Sequence, residues 1–183
     1  MKNIAEIWQA DFQQKIYRKL LFAMSRPGKV IRLVNEGMPE QASDSILSTL
    51  IDSSVFLCDH HSVLKQQMWS LLNVRNSKAE NADYILVEGD ITPDFEPCLG
   101  TLESPDLGAT LIVKVAGLSS GMQLKLSGPG VDGTERISVD GLKKSWIRKR
   151  TEWVAGFPLG VDLFIADNCC TTALPRTTKV EMI

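Results

Sequence analysis

The stretch FPLGVDLFIADNCCTTALPRTT, residues 157–178, decides the fold of this chain of 183 residues. It contains a mostly apolar run, Val161 to Ala166, which is typical of a strand covered on both faces of a sheet. Asp167-Asn168 predicts a turn, because both residues tolerate left-handed backbone angles. A second strand follows from Cys169 to Leu174, and Pro175 ends it because proline has no N–H to donate. The stretch therefore predicts a hairpin.

One carboxylate interrupts the hairpin, and a polar cluster follows it. Asp162 needs a partner, since a buried, unpaired carboxylate is costly, and Arg176 is a candidate. Arg176, Thr177 and Thr178 together offer a guanidinium and two hydroxyls, which suit a phosphate or a carboxylate. The residues alone leave two interpretations open: an anion site, or a structural corner in which Arg176 satisfies carbonyls and Asp162.

The composition is typical of a globular protein, and the length predicts a single domain, residues 1–183. Hydrophobic residues make up 44% and charged residues 23%, and the net charge of −2 gives no overall attraction to nucleic acid or membrane. The amino-terminal residues are too polar for a signal peptide, and no apolar run is long enough to span a membrane. The four cysteines lack zinc-site spacing and are interpreted as thiols of a cytoplasmic protein.

Outward from the hairpin, the chain alternates helical and extended patterns. About four helices and seven or eight short strands predict a mixed α/β or α+β sheet with antiparallel elements. Thr92-Pro93 could open a further short helix. Thr110 to Val115 and Met122 to Leu126 predict a hairpin joined through Gly117 to Gly121. The predicted helices are Ile4 to Ser25, Ser43 or Asp44 to about Asp52, Ser62 to Val74 and Leu142 to Val154. The other predicted strands are Lys29 to Val34, Ser54 to Cys58, Tyr84 to Val87, Arg136 to Val139 and Lys179 to Ile183.

Three further motifs could carry chemistry, and each has a plainer interpretation. Asp59-His60-His61 could touch a metal, but adjacent side chains diverge, and Asp59 is a plausible helix cap. Gly128 to Gly133 is glycine-rich but lacks the residues of a phosphate loop, so we expect a turn. The basic residues between Lys143 and Arg150 could bind phosphate, nucleic acid or an acidic partner, but a solvated helix face is the favoured interpretation.

Three separate blocks of the sequence share a pattern: Tyr17 to Gly28; Gly108 to Ile112 with Leu126 to Gly130; and Phe157 to Leu163 with Pro175 to Thr178. Together they resemble the PhnH family, whose members are subunits of the bacterial carbon–phosphorus lyase core complex. The blocks appear in the family's order and span nearly the whole chain, although the region from Glu36 to Glu103 carries little of the likeness. The basic run between Lys143 and Arg150 lies outside the pattern.

The resemblance implies a three-layer α/β/α mixed sheet, similar to the fold of pyridoxal-phosphate-dependent transferases but without that cofactor. It implies a homodimer that joins the subunits PhnG, PhnI and PhnJ. That complex couples a phosphonate to the ribose of ATP, displaces adenine and yields a ribose 1-phosphonate 5-triphosphate, while a radical SAM, iron–sulfur subunit later cleaves the C–P bond. No cofactor and no catalytic role are implied for this subunit itself.

Three hypotheses follow, and the favoured one is that of an accessory, largely structural subunit that holds no metal. In the first, Arg18, Asp162, Arg176, Thr177 and Thr178 line a pocket or an interface of the complex. The second is an independent enzyme or binder of a small anion such as phosphate or phosphonate, centred on Arg176-Thr177-Thr178. The third, less favoured, is a nucleic-acid binder that uses the basic helix face.

Overall fold

The computed structural model describes residues 7–35 and 41–183, and these form a mixed α/β structure around a seven-stranded sheet. The strand order is β1-β9-β8-β5-β4-β2-β3. Strands β8, β5, β4, β2 and β3 run parallel, while β9 pairs antiparallel with both β8 and β1. The strand bounds are β1 Ile31–Arg32, β2 Phe56–Asp59, β3 Arg75–Asn76, β4 Tyr84–Glu88, β5 Thr110–Lys114, β8 Asp162–Ala166 and β9 Cys170–Leu174.

A second, antiparallel sheet has three strands in the order β10-β6-β7. Its strands are β6 Gly117–Ser127, β7 Glu135–Asp140 and β10 Lys179–Met182. Leu124, Leu126 and Val139 bury one of its faces against the large sheet. The glycine-rich segment 128–133 connects β6 to β7, which confirms the predicted turn.

The two faces of the large sheet are covered differently. Three helices, α1 Ala10–Ser25, α2 Ala42–Leu50 and α3 Gln66–Leu72, share a core with Leu57, Leu86 and Ile112 on one face. The other face carries α4, Lys144–Trp153, together with the small sheet. The second covering layer is therefore partly helix and partly sheet. Two short 3-10 helices, Ala79–Asn81 and Pro105–Leu107, lie in the connections.

The hairpin predicted from residues 157–178 is confirmed. β8 and β9 pair antiparallel, with Leu163 opposite Leu174 and Ala166 opposite Thr171. The Asp167 carboxylate closes the turn by accepting the backbone N–H groups of the next strand at 2.7 and 2.8 Å. Parallel pairing with β5 on its other side makes β8 an interior strand, which explains its apolar sequence.

The second predicted hairpin is wrong. β5 lies between β4 and β8 in the large sheet, whereas β6 belongs to the small one. Leu111, Ile112 and Val113 are fully buried, as expected for a strand covered on both faces, so β5 requires neighbours on both edges. β6 alternates buried and partly exposed residues toward its end, which suits a sheet with one wet face. The stretch from Gly117 to Gly121 is part of β6, where the pairing register with β7 shifts.

Three helix predictions need correction, and one lies partly outside the described residues. The helix expected over Ser62 to Val74 begins only at Gln66, because Asp59 holds a loop by accepting the N–H groups of Val63 and Leu64. Helix α2 begins one residue before Ser43, and Asp44 accepts the N–H of Gln41 at 2.9 Å. Thr92-Pro93 opens no helix. Of the first predicted helix, residues 4–6 lie outside the described ranges.

No helix in the described ranges is both long and apolar enough to cross a membrane. None of the four cysteines, all of which lie in the described ranges, forms a disulfide, and Cys58 is the buried one among them.

The turn after α1 packs closely against the β6–β7 turn at Gly130. Its φ is +81°, a left-handed backbone conformation, and a Cβ added there would collide with the carbonyl oxygen of Ser25. The same Cβ would stand 2.9 Å from Cδ of Pro27. Only glycine allows the two turns to approach this closely.

Substituting Gly130→Ala should lower the free energy of unfolding by about 3 kcal/mol, because it adds a steric clash to the cost of a left-handed alanine. Gly133→Ala is the matched control: its φ is also positive, but nothing lies within 4 Å of the added Cβ. The control should lose about 1 kcal/mol. Urea unfolding of both variants checks this, and equal losses would contradict the close contact.

Candidate functional site

An ion pair between Asp162 and Arg176 joins the start of β8 to the residues that follow β9. Oδ2 of Asp162 accepts hydrogen bonds from Nη2 of Arg176 at 2.7 Å and from Nε at 3.2 Å. Oδ1 accepts the backbone N–H of Arg176 at 2.7 Å. The side chains are 23% and 14% exposed, so the pair is largely removed from water. The partner predicted for Asp162 is therefore confirmed.

The Nη1 group of Arg176 donates to backbone carbonyls. Nη1 donates to the carbonyl oxygen of Pro105 at 2.6 Å and reaches that of Pro158 at 3.4 Å. Gly108 lets the guanidinium approach, since an added Cβ would stand 3.0 Å from Nη1 and collide with the carbonyl oxygen of Gly160. Of the two interpretations of Arg176, this geometry supports the structural corner, because the guanidinium faces Asp162 and the chain itself.

Arg150 reaches the same corner from α4. Its side chain is 2% exposed, and Nη2 donates to the carbonyl oxygens of Pro175 at 2.6 Å and Thr178 at 3.0 Å. No carboxylate lies within ion-pair distance of Arg150 in the described part of the chain. Burial lowers the pKa of Arg150 to about 10, and the nearby charge of Asp162 opposes that shift. The side chain is therefore still a cation at neutral pH.

Arg150 was missed as a site residue because its neighbours in sequence are basic. The interpretation of a solvated face holds for Lys143, Lys144 and Arg148, which are exposed, and Lys149 pairs with Glu96 at 2.6 Å. Arg150 is the exception. It lies four residues after Trp146 and three before Trp153, both buried, and that helical spacing was the available signal.

A cleft of about 560 Å³ lies beside this corner, between the end of α4 and the chain from Arg176 to Glu181. Arg150, Arg176, Thr177 and Thr178 all line it. Thr177 is exposed, whereas Thr178 is 2% exposed and its Oγ1 has no hydrogen-bond partner. The structure thus gathers four of the five predicted site residues, Asp162, Arg176, Thr177 and Thr178, at one corner.

Arg18, the fifth predicted residue, is not part of the cleft. It is exposed on α1, and the core of that helix is on the opposite face of the large sheet from α4. The lining of the cleft does not include it.

The two histidines lie at the carboxyl end of β2, where the chain leaves in opposite directions from neighbouring strands. β2 connects to β3 on one side and β4 to β5 on the other, an arrangement that often carries ligand sites in α/β sheets. Nε2 of His60 contacts Oδ1 of Asp94 at 2.7 Å. A groove of about 400 Å³ adjoins His60.

His60, His61 and Asp94 are near enough to hold a metal, with one potential ligand atom from each residue within 4.8 Å of the others. The hydrogen bonding does not suit a metal, however. Nδ1 of His61 accepts the backbone N–H of Glu88 at 2.9 Å, so the proton of the neutral ring is on Nε2. His61 then has no lone pair to give a metal ion. Burial and the neighbouring His60 lower the pKa of His61, which keeps its ring neutral.

Comparison with known proteins identifies the family of this chain. The family model described as "Bacterial phosphonate metabolism protein (PhnH)" matches residues 5–181. The chain belongs to the PhnH family. It is 38% identical over 176 residues to a protein of Stutzerimonas stutzeri named "Putative C-P lyase subunit protein HtxG", covering 96% of this chain and 89% of that one. It is 31% identical over 179 residues to a Rhizobium meliloti protein named "Alpha-D-ribose 1-methylphosphonate 5-triphosphate synthase subunit PhnH", covering 92% and 90%.

The blocks that carry the PhnH resemblance meet in space. The first block reaches the second where Ser25 contacts Gly130. The second reaches the third where Gly108 packs on Gly160 and on the guanidinium of Arg176. The second and third blocks therefore meet beside the Asp162–Arg176 ion pair, and the first meets the second at Gly130.

Replacing Arg176 with methionine should lower the free energy of unfolding by about 3 kcal/mol, because Asp162 keeps a largely buried charge without its ionic partner. Lys125→Met is the control, since Lys125 pairs with Glu181 at 3.3 Å in an exposed bridge and should cost less than about 1 kcal/mol. Chemical unfolding monitored by circular dichroism measures both. A loss at Arg176 no larger than that of the control would contradict a structural role.

The lowered pKa of His61 predicts a specific pH dependence. The unfolded chain takes up this proton as pH falls through the ordinary histidine value, about 6.5, whereas the folded ring stays neutral to lower pH. Stability from His61 is therefore present above that pH and is lost as pH falls. His61→Gln should show a shallower fall in unfolding free energy between about pH 7 and 5. Parallel curves for the two proteins would show that the His61 pKa is not lowered.

Proposed function

We propose that this chain is an accessory subunit of a carbon–phosphorus lyase complex that acts in phosphonate catabolism. The observation that carries the proposal is the PhnH match across residues 5–181, with relatives named as subunits of such complexes. The reaction proposed for the complex joins a phosphonate to the ribose of ATP, releases adenine and forms a ribose 1-phosphonate 5-triphosphate. The transferase and lyase chemistry is assigned to other subunits.

The contacts of Arg176 support an accessory role over independent catalysis. Its guanidinium donates to Asp162, Pro105 and Pro158, so four of its five N–H donors are engaged by the chain itself. A catalytic arginine instead directs its fork at the group that reacts. The described geometry thus supports a residue that shapes a surface.

That surface offers apolar side chains to a partner. Leu102 is 73%, Leu107 54% and Phe157 67% exposed. Arg176 gathers the segments that carry them, since Nη1 bonds both Pro105 and Pro158. Exposed apolar residues gathered in one region mark interaction sites more often than scattered ones do. We assign this region, Leu102, Leu107 and Phe157, as the docking surface for another subunit.

The partners we propose are PhnG, PhnI and PhnJ, with a homodimer of this chain when it is alone. The cytoplasm is the proposed location, and no cofactor is proposed for this subunit. We further propose that residues 1–183 form one PhnH-like domain, and that the mixed sheet is related to that of pyridoxal-phosphate-dependent transferases.

Co-expression with PhnG, PhnI and PhnJ, followed by affinity capture and size-exclusion chromatography, tests the proposal. The chain should co-elute with the partners, and the double variant Leu102→Ser, Phe157→Ser should reduce the co-eluting fraction. Ile91→Ser is the control, because Ile91 is a 42% exposed apolar residue that is not part of the docking surface.

Failure of the unmodified chain to co-elute with any partner would contradict the proposed function. Equal co-elution of the double variant and the control would instead reject the docking surface alone. Analytical ultracentrifugation of the isolated chain tests the homodimer, and a monomer at all concentrations would exclude it.

The independent anion binder centred on Arg176-Thr177-Thr178 remains the second candidate. The cleft beside these residues favours it, whereas the pairing of Arg176 with Asp162 counts against Arg176 as the ligand of the anion.

A further inference from the structure

Arg150 is a buried cation without a paired anion. Lys, Arg, Asp and Glu are almost never fully buried unless paired, because removing a charge from water is costly. Arg150 is 2% exposed, and its two bonded acceptors are neutral carbonyls, those of Pro175 and Thr178. Asp162, whose negative charge acts on Arg150, is already bonded by Arg176. This corner therefore has two guanidinium groups for one carboxylate.

Unused hydrogen-bond donors accompany this excess charge. Nε of Arg150 is buried without a partner, and so is Oγ1 of Thr178. A guanidinium N–H can only donate, so its missing partner must be an acceptor. The two residues already touch, through Nη2 of Arg150 and the carbonyl of Thr178, and both line the cleft. Nε and Oγ1 are themselves enclosed, so Arg150 and Thr178 meet the cleft through their other atoms.

The rest of the cleft is suited to an anion. Lys179 is exposed on its lining, and Thr177 adds an exposed hydroxyl. The one carboxylate of the lining, Glu181, is paired with Lys125 at 3.3 Å. The volume of about 560 Å³ falls within the range of small-molecule sites, roughly 300 to 1,000 Å³.

We propose that this cleft binds the oxyanion of a phosphate or phosphonate group, with Arg150 as its principal cation and Thr178 and Lys179 as supporting groups. An oxyanion supplies negative charge and acceptors, and this corner has two guanidinium groups for one carboxylate. Arg176 contributes by holding the corner and does not bind the anion. This site stands on its own geometry, and Phe157 of the docking surface also lines the cleft.

Isothermal titration calorimetry on the full chain tests the site at constant low ionic strength, with inorganic phosphate, methylphosphonate and ATP as separate probes. Arg150→Met should weaken binding at least about tenfold, because it removes a charge-assisted partner. Arg148→Met is the matched control, being the same change at an exposed position of the same helix. It should change affinity less than about twofold.

A second pair of variants keeps the test valid if Arg150→Met does not fold. Lys179→Gln removes an exposed charge from the cleft, and Lys144→Gln removes one from the start of α4. The first should weaken binding about threefold or more, and the second should leave it unchanged.

The probes identify the source of the anion. Binding of phosphate shows that the inorganic group suffices. Binding of methylphosphonate alone indicates a phosphonate, and binding of ATP alone indicates a nucleotide. Binding of any probe supports the site only if Arg150→Met or Lys179→Gln weakens it and the control variants do not. No binding of any probe, or equal affinities for cleft and control variants, would overturn it. Co-elution of the Lys179→Gln variant with the partner subunits tests the proposed function separately. Failure of the anion site and failure of the proposed function can therefore be distinguished.

Discussion

The ion pair between Asp162 and Arg176 is the constraint on which the corner of this structure depends. It fixes the start of an interior strand to the chain that leaves the neighbouring strand. The same guanidinium holds the segments of Pro105 and Pro158. Arg150 of α4 bonds the other side of the corner by donating to the carbonyl oxygen of Pro175. Breaking the Asp162–Arg176 pair would therefore loosen three segments, those of Pro105, Pro158 to Asp162, and Arg176.

Much of this corner could be predicted from the sequence, because it depends on local and strongly restricted chemistry. An apolar run, an Asp-Asn turn and a proline fix the hairpin within 22 residues, those of 157–178. A carboxylate inside an apolar strand must find a cation, and Arg176 is near in the chain. The mixed sheet followed from the same patterns. The resemblance to the PhnH family was confirmed by the match across residues 5–181.

The errors arose where nonlocal contacts decide the structure. β5 and β6 are adjacent in sequence and separated by glycines, but complete burial of β5 places it between two parallel strands. Arg150 stands among exposed basic residues, and only its register with Trp146 and Trp153 shows that it is buried. Arg18 belongs to a resembling block but lies away from the cleft. Sequence proximity and family likeness do not determine which side chains share a surface.

Amide hydrogen exchange of the unmodified protein tests most directly whether the ion pair constrains the corner. The N–H of Arg176 bonds Asp162 and that of Thr178 bonds the carbonyl of Pro175. If the pair is the constraint, both amides should exchange only through global unfolding, with opening free energies within about 1 kcal/mol of that of Leu111 in β5. Much faster exchange of both amides, with Leu111 still protected, would show that the corner opens by itself and would contradict the account.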